Sequence, residues 1–350
     1  MTELTDILLR QIARLGPLTV SEFMAQALYH PQHGYYTNAK PLGAKGDFTT
    51  APEISQMFGE LVGLSLAQAW LDQGAPSPFC LAELGPGSGQ LMSDVLRATK
   101  SVPNFHTAMR LHLCEVNPNL KTEQAARLPD PTWVTDTTAL PDLPLFLIAN
   151  EFFDCLPINQ YVARDDGWDE HVIGEKDGAL TFARRPAGAV ETELPDAPTG
   201  TILELSPASN AIAQDIAAII AKNGGCALIF DYGGTGGGDT LQALQDHTKV
   251  DPLHAIGQSD LTAHVKFAAL SDAISNVQTI GPEPQGAFLE RLGITPRAQQ
   301  LAANLSGDAL ENHITAHRRL THPDEMGQLF KAFAILPQDA PIPAGFPNEP

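Results

Sequence analysis

The chain has 350 residues, 43% of them hydrophobic, with 21 Lys and Arg against 41 Asp and Glu, a formal net charge of −20. That length allows one large domain with insertions or two smaller ones, and the apolar content is enough for a sizeable core. The acidic balance excludes the clustered basic residues that a nucleic-acid backbone requires, and suits a basic protein partner or simply a solvated surface. The four cysteines, Cys80, Cys114, Cys155 and Cys226, form no CxxC spacing. They read as buried free thiols of a reducing compartment, with no metal site and no disulfide framework. The chain opens without a basic start and apolar stretch, and no run is long enough to span a bilayer, so the expectation is a cytosolic protein.

The first element is helical, since Leu4, Ile7, Leu8, Ile12 and Leu15 share one face and Gly16-Pro17 stops it. Thr19-Val20-Ser21-Glu22 is a capping box that predicts a second short helix. A loop rich in Pro, Gly and Tyr follows from His30 to Thr49, and a second capping box at Thr50-Ala51-Pro52-Glu53 predicts one long helix to about Trp70. Strands and helices then alternate, as in a parallel sheet. Strands are expected at 79–84, 110–116, 133–134, 145–149 and 226–230, with helices at 90–99, 118–127 and 208–222. Residues 158–205 carry short alternating runs broken by Asp166-Gly167 and Asp177-Gly178, a β-hairpin insertion. Residues 283–325 read as inserted helices before a last strand at 327–336, and the glycine cluster at 233–238 as a flexible loop. The expected organisation is an N-terminal helical segment (1–75), a doubly wound α/β domain (76–340) with those two insertions, and a frayed tail (341–350).

Glu83-Leu84-Gly85-Pro86-Gly87-Ser88-Gly89 is the sharpest local signal, a glycine turn between an apolar strand and a helix. Glycines there let the backbone approach a ligand with no Cβ in the way. The spacing is one residue shorter than the dinucleotide fingerprint, and no Lys-Ser or Lys-Thr follows as in a P-loop. Glu115 closes the next strand, where a carboxylate can accept hydrogen bonds from ribose hydroxyls. That serves NAD and S-adenosylmethionine alike. Glu83 could anchor a ligand ammonium. The alternative is a tight strand-to-helix turn with a surface Glu.

After the fourth strand comes Asn150-Glu151-Phe152-Phe153-Asp154. Open parallel sheets bind ligands outside the carboxyl ends of their strands, so Asn150, Glu151 and Asp154 should face the same cleft as the glycine turn. Methyl transfer from a sulfonium needs alignment of donor and acceptor and a lone pair on the acceptor. Paired carboxylates can hold a guanidinium and localise its charge. Otherwise Glu151 merely closes the cleft and Asp154 caps a helix.

The chain resembles the MidA family, whose eukaryotic members are mitochondrial complex I assembly factors with protein-arginine methyltransferase activity. Four stretches carry the likeness in order: His30-Pro31 with Gly34-Tyr35-Tyr36 leading into Gly46 to Glu60; Glu83 to Gly89; Asn150 to Asp154 with Leu156-Pro157-Ile158; and Asp260 to Val265 with Phe267, followed by Met326-Gly327 and Leu329-Phe330-Lys331. The resemblance implies a class I methyltransferase with S-adenosylmethionine as donor and a substrate-binding insertion. It also implies an arginine of a respiratory-complex subunit as acceptor, and a role for Asp47, Phe48 and Thr50 in closing the donor site. Lys266 stands where an acidic residue is expected, and Cys155 where Ala is more usual. His247, before the Asp251-Pro252 turn, is a loop histidine or a base. Two rival readings remain: a dinucleotide oxidoreductase, and an assembly factor that holds the methyl donor only as a structural ligand.

Overall fold

The computed structural model describes residues 2–38, 50–234 and 236–347, so Asp47 and Phe48 lie outside the described residues. An eight-stranded sheet forms the centre. Its strands are β1 (Phe79–Leu84), β2 (Met109–Cys114), β3 (Thr132–Val134), β4 (Leu145–Asn150), β5 (Gly225–Gly234), β6 (Gln278–Pro284) and β7 (Phe330–Leu336), with Val265–Lys266 pairing beside the end of β5. The order is β3-β2-β1-β4-β5-β7-β6. The first five run parallel, and β7 lies antiparallel between β5 and β6.

The near-continuous apolar runs of these strands are explained by their two buried faces. Phe79, Leu81, Phe146, Ile148 and Leu228 join the core beneath helices α4 (Gln56–Asp72) and α5 (Gln90–Thr99). The alternate residues Cys80, Ala82, Leu84, Leu145, Leu147 and Ile229 join a second core under α7 (Pro207–Asn223). Helices on both faces of a mostly parallel sheet make the doubly wound α/β architecture.

A third core lies to the side. Helices α1 (Glu3–Leu15) and α2 (Val20–Tyr29) pack Leu4, Leu8, Phe23 and Leu28 against Ile158, Ile173, Ala243 and Leu261. The capping box at Thr19 and Glu22 is formed on both sides. The β-hairpin insertion consists of Asn159–Arg164, Gly167–Lys176, Ala179–Pro186 and Ile202–Leu205, and Leu18–Thr19 adds to its edge. Between β5 and β6 a three-stranded sheet, Gln242–Gln245, Thr248–Val250 and Asp260–Thr262, joins the same core.

Several expectations need correction. Thr50 makes no side-chain cap, and the predicted long helix is two: α3 (Ala51–Ile54) ends at Ser55, whose hydroxyl caps α4. The strand expected through Val116 stops at Cys114, and Cys114 is half-buried. Gly233 and Gly234 continue β5 and pair with Val265 and Lys266, so that part of the glycine cluster is strand. β6 and the three-stranded sheet were unforeseen, because their polar and proline-rich sequences lack an apolar alternation. The tail is packed up to Phe346, which is buried against Phe288 at 5.1 Å, while the Ser65 hydroxyl donates to the Ala344 carbonyl at 2.6 Å. The second insertion holds α8 (Gln285–Arg291), α9 (Ile294–Ala302) and α10 (Asp308–Thr321). α6 (Pro118–Arg127) links β2 to β3.

The register of β5 against β4 depends on Gly225. Its φ is +120°, and a Cβ there would sit 1.9 Å from the Leu145 carbonyl oxygen. Gly225→Ala must therefore part the two strands or refold the turn. A cost of about 3–5 kcal/mol is expected for a clash of this kind, read as a melting temperature lower by roughly 4–7 °C. A thermal melt unchanged from wild type would contradict this register.

Candidate active site

The carboxyl ends of β1, β2 and β4 open on one cavity of about 350 Å³. Glu83, Gly85, Gly87, Glu115, Thr50, Asn150 and Glu151 all line it. Gly89 holds the turn without lining the cavity, and Asp154, expected in the same cleft, does not reach it. Asp154 is buried behind its floor. His247 sits at the turn between Gln242–Gln245 and Thr248–Val250, away from the cavity. Lys266 is committed elsewhere: its ammonium pairs with the buried Glu204 carboxylate at 3.2 Å and donates to the Gly236 carbonyl at 3.1 Å.

On one side the glycine turn leads β1 into α5. Gly85, Gly87 and Gly89 have φ of +59°, +52° and +77°, the left-handed region that a side chain resists. A Cβ at Gly85 would meet the Phe152 ring at 3.0 Å. Glu83, just before the turn, is buried, and its Oε2 has no hydrogen-bond partner. Burial pushes its carboxyl up to about 8, eased only by a backbone N–H from Met92, with Glu115 raising it further. A buried carboxylate oxygen left unpaired on a cavity wall is a seat for a cation. Glu115 lies one residue past the end of β2. Its Oε1 accepts the N–H groups of Val116 and Asn117, each at 2.8 Å. Its Oε2 takes a longer bond from Gln124 Nε2, 3.3 Å, which leaves acceptor capacity for a diol. Desolvation raises the Glu115 carboxyl above its ordinary value.

Gln124 was not anticipated. A polar residue on α6 reads as surface, yet it is fully buried and joins three elements. It donates to the Gly87 carbonyl at 2.8 Å and to Glu115, and accepts from the Trp133 indole at 2.8 Å. Asp136 and Thr137, past the end of β3, complete this wall. Asp136 is drawn below its usual range by hydrogen bonds from the Thr138 and Thr135 hydroxyls.

On the other side, Glu151 follows β4 with φ +51°, an uncommon conformation for a residue with a side chain. Its N–H donates to the Phe230 carbonyl at 2.8 Å. Its Oε1 accepts the Ala51 N–H and the Asn150 amide, each at 3.2 Å. Asn150 Oδ1 is buried without a partner. Burial pushes the Glu151 carboxyl up to about 7, with Asp154 adding to the shift. Beneath them lies Asp231, wholly buried near the end of β5 and not anticipated, although it directly follows the strand expected at 226–230. Its Oδ2 accepts the N–H groups of Phe153 at 2.9 Å and Asp154 at 3.2 Å, and its Oδ1 that of Tyr232 at 2.9 Å. Burial holds both Asp231 and Asp154 above their ordinary values, and Asp154 and Glu151 raise Asp231 further.

A family profile of S-adenosyl-L-methionine-dependent methyltransferases matches residues 61–283, a stretch that contains the glycine turn, Glu115 and Glu151. The chain belongs to this family. The protein arginine methyltransferase NDUFAF7 homolog, mitochondrial, of Drosophila melanogaster is 37% identical to it, over 93% of this chain and 83% of that protein. The mitochondrial NDUFAF7 of Homo sapiens is 32% identical over 96% of this chain and 84% of its own. A solved structure from Burkholderia thailandensis with S-adenosyl-homocysteine bound aligns at a TM-score of 0.82 and 26% identity, covering 98% of this chain and 93% of that one. S-adenosylmethionine is thus the donor for this methyltransferase, and the oxidoreductase reading is set aside. The expectation of a cytosolic protein is overturned, because these relatives are mitochondrial by name. No helix among the described residues is long and apolar enough to cross a membrane.

The residues present suit this donor: an unpaired carboxylate oxygen for its ammonium at Glu83, and acceptor capacity for its ribose at Glu115. Glu115→Ala removes a charged acceptor worth about 1.5–3 kcal/mol per hydrogen bond. Affinity for S-adenosylhomocysteine, measured by calorimetry, should fall roughly tenfold or more. An unchanged affinity would remove Glu115 from the donor site.

The raised Glu83 carboxyl has a thermodynamic signature in the donor-free protein. Its folded value of about 8 lies above the ordinary 4.5, so the folded state holds the proton more tightly. That stabilisation is complete below the unfolded value and is lost as pH rises through about 8. Glu83→Gln should therefore gain in melting temperature relative to wild type between pH 5 and pH 8.5. A difference that is flat across that range would show that Glu83 ionises normally.

Proposed function

We propose that this methyltransferase modifies an arginine side chain of a protein, a subunit of respiratory complex I, and that the modification supports assembly of that complex. The names of the curated relatives support arginine as the acceptor. The observation that carries the reading is the placement of Glu151. Its carboxylate lines the donor cavity beyond the residues suited to the adenosine, with Asn150 beside it and Asp154 and Asp231 behind it.

The donor supplies an electrophilic methyl group, and the chain must supply an oriented nitrogen with an available lone pair. A guanidinium has none until its charge is localised or a proton leaves. Glu151 can bind it by a charge-assisted hydrogen bond and bias its electron density toward the attacking nitrogen. The carboxylates behind Glu151 add negative potential that favours a cationic acceptor. Asp154 does not touch the cavity, so its part is to set that potential, and the paired grip expected of Glu151 and Asp154 gives way to Glu151 assisted by Asn150. Because Glu151 must be ionised to act and its carboxyl is raised to about 7, kcat/KM should rise with pH through that region.

Glu151→Gln keeps the shape and removes the charge. S-adenosylhomocysteine affinity should stay within about twofold while turnover on the protein substrate drops roughly 10²–10⁴-fold, the range for loss of a positioned acid–base group. Mass spectrometry of tryptic peptides would locate the methyl group. A folded Glu151→Gln variant that binds the donor product and turns over at the wild-type rate would overturn the carboxylate mechanism. Donor binding without any methylated arginine in wild type would favour the assembly factor that keeps the donor as a structural ligand.

A further inference from the structure

Two tyrosines line the cavity without a part in the donor contacts described above. Tyr29, the last residue of α2, and Tyr36, in the short helical turn Tyr35–Asn38, both face it. Their rings stack with centroids 5.8 Å apart and planes at 23°. The buried Tyr35 meets the Tyr36 ring edge-on at 5.2 Å. Both phenol hydroxyls are already spent as donors. Tyr29 donates to the Cys155 carbonyl at 3.0 Å, and Tyr36 to the Asp260 carboxylate at 2.9 Å. These tethers hold the hydroxyl ends near Asp154 and Asp260. The Tyr36 carbonyl accepts the Asn117 amide at 2.8 Å, two residues beyond Glu115, so the segment is also pinned on the donor side.

With their hydroxyls engaged, the rings offer the cavity aromatic surface in place of a hydrogen-bonding edge. Burial and the nearby carboxylates hold both phenols well above their ordinary value, so they stay neutral. A flat, weakly hydrated guanidinium can lie on such a surface and still present its edge N–H groups to a carboxylate. A compact, strongly hydrated ammonium gains less from the same wall.

We infer that Tyr29 and Tyr36 form an aromatic wall of the acceptor site that selects an arginine guanidinium over a lysine ammonium. This rests on the reading of the acceptor as arginine. It makes the N-terminal segment part of substrate recognition, acting beside Glu151.

The test uses the full chain saturated with S-adenosylhomocysteine, and N-acetyl-arginine methylamide and N-acetyl-lysine methylamide as probes in NMR titrations. Wild type should prefer the arginine amide. Tyr36→Leu and Tyr29→Leu should each weaken arginine-amide binding by roughly three- to thirtyfold, the span of an exposed to a desolvated cation–π contact, and leave the lysine amide nearly unchanged. Affinity for S-adenosylhomocysteine, measured on the same samples, should remain within twofold and also reports that the variant is folded. Tyr36→Phe keeps the ring, loses only the tether, and should weaken the arginine amide less than Tyr36→Leu does. An arginine preference that survives both leucine variants overturns the aromatic wall and leaves the arginine reading standing. A matching loss of S-adenosylhomocysteine affinity in Tyr36→Leu or in Tyr36→Phe assigns the tyrosines to the donor and overturns the inference. Wild type that binds the two amides equally, or neither, overturns the arginine reading itself.

Discussion

A carboxylate removed from water must find hydrogen-bond donors or give up its charge, and Asp231 is where this fold meets that constraint. It accepts three backbone N–H groups, from Phe153, Asp154 and Tyr232. Two of them belong to the loop that leaves β4, so the loop cannot lift away from β5 without stranding a buried acid. Hydrogen bonds of this kind contribute about 0.5–1.5 kcal/mol each. The left-handed backbone of Glu151 is tolerable because the residues after it are held this firmly, while its own N–H is engaged by Phe230. The same arrangement buries Glu151, Asp154 and Asp231 close together, and burial raises all three carboxyls, with Asp154 raising Glu151 and Asp231 further.

The donor half works by a different economy of charge. Glu115 is steadied by its own loop through Val116 and Asn117, and Gln124 ties it to the glycine turn. Glu83 is left short of partners, with one buried oxygen that no hydrogen-bond donor of the protein reaches. A stable turn therefore borders an unsatisfied acid, which is the arrangement expected where binding rather than folding supplies the last contact. The N-terminal segment links both halves: Ala51 donates to Glu151, Glu53 accepts from the Ser88 hydroxyl of the glycine turn at 2.6 Å, and Tyr36 joins Asn117 to Asp260.

Much of this was legible in the residues. The apolar runs at β1, β4 and β5, the helical periodicities between them and the glycine turn are local patterns, and local patterns survive translation from sequence to structure. Glu83, Glu115 and Glu151 were expected at one cleft because each stands at the carboxyl end of a strand, where parallel sheets place their ligands, and all three line the cavity. Asp231 stands just past the strand expected at 226–230, a position like that of Glu115 and Glu151, and only the structure shows it buried beneath the loop that leaves β4. Gln124 was missed because nothing local distinguishes a helix glutamine that faces solvent from one that faces a tryptophan. Asp154 shows the opposite failure: it stands between Phe152 and Cys155, which line the cavity, while its own buried carboxyl does not and is hydrogen-bonded with Tyr232.

The sequence by itself therefore determined the class of fold, the position of the glycine turn and the acids at the strand ends, because these follow from hydrophobic period, from glycine stereochemistry and from chain direction. Tertiary structure decided which acids touch the cavity and which lie behind it. It also placed two stacked tyrosines from the N-terminal segment on the wall of a cavity built largely by the strand ends of the central sheet, and it tied Lys266 to Glu204 away from the site. Those outcomes rest on long-range packing and on where buried carboxylates find their donors, and no local pattern of residues encodes either one.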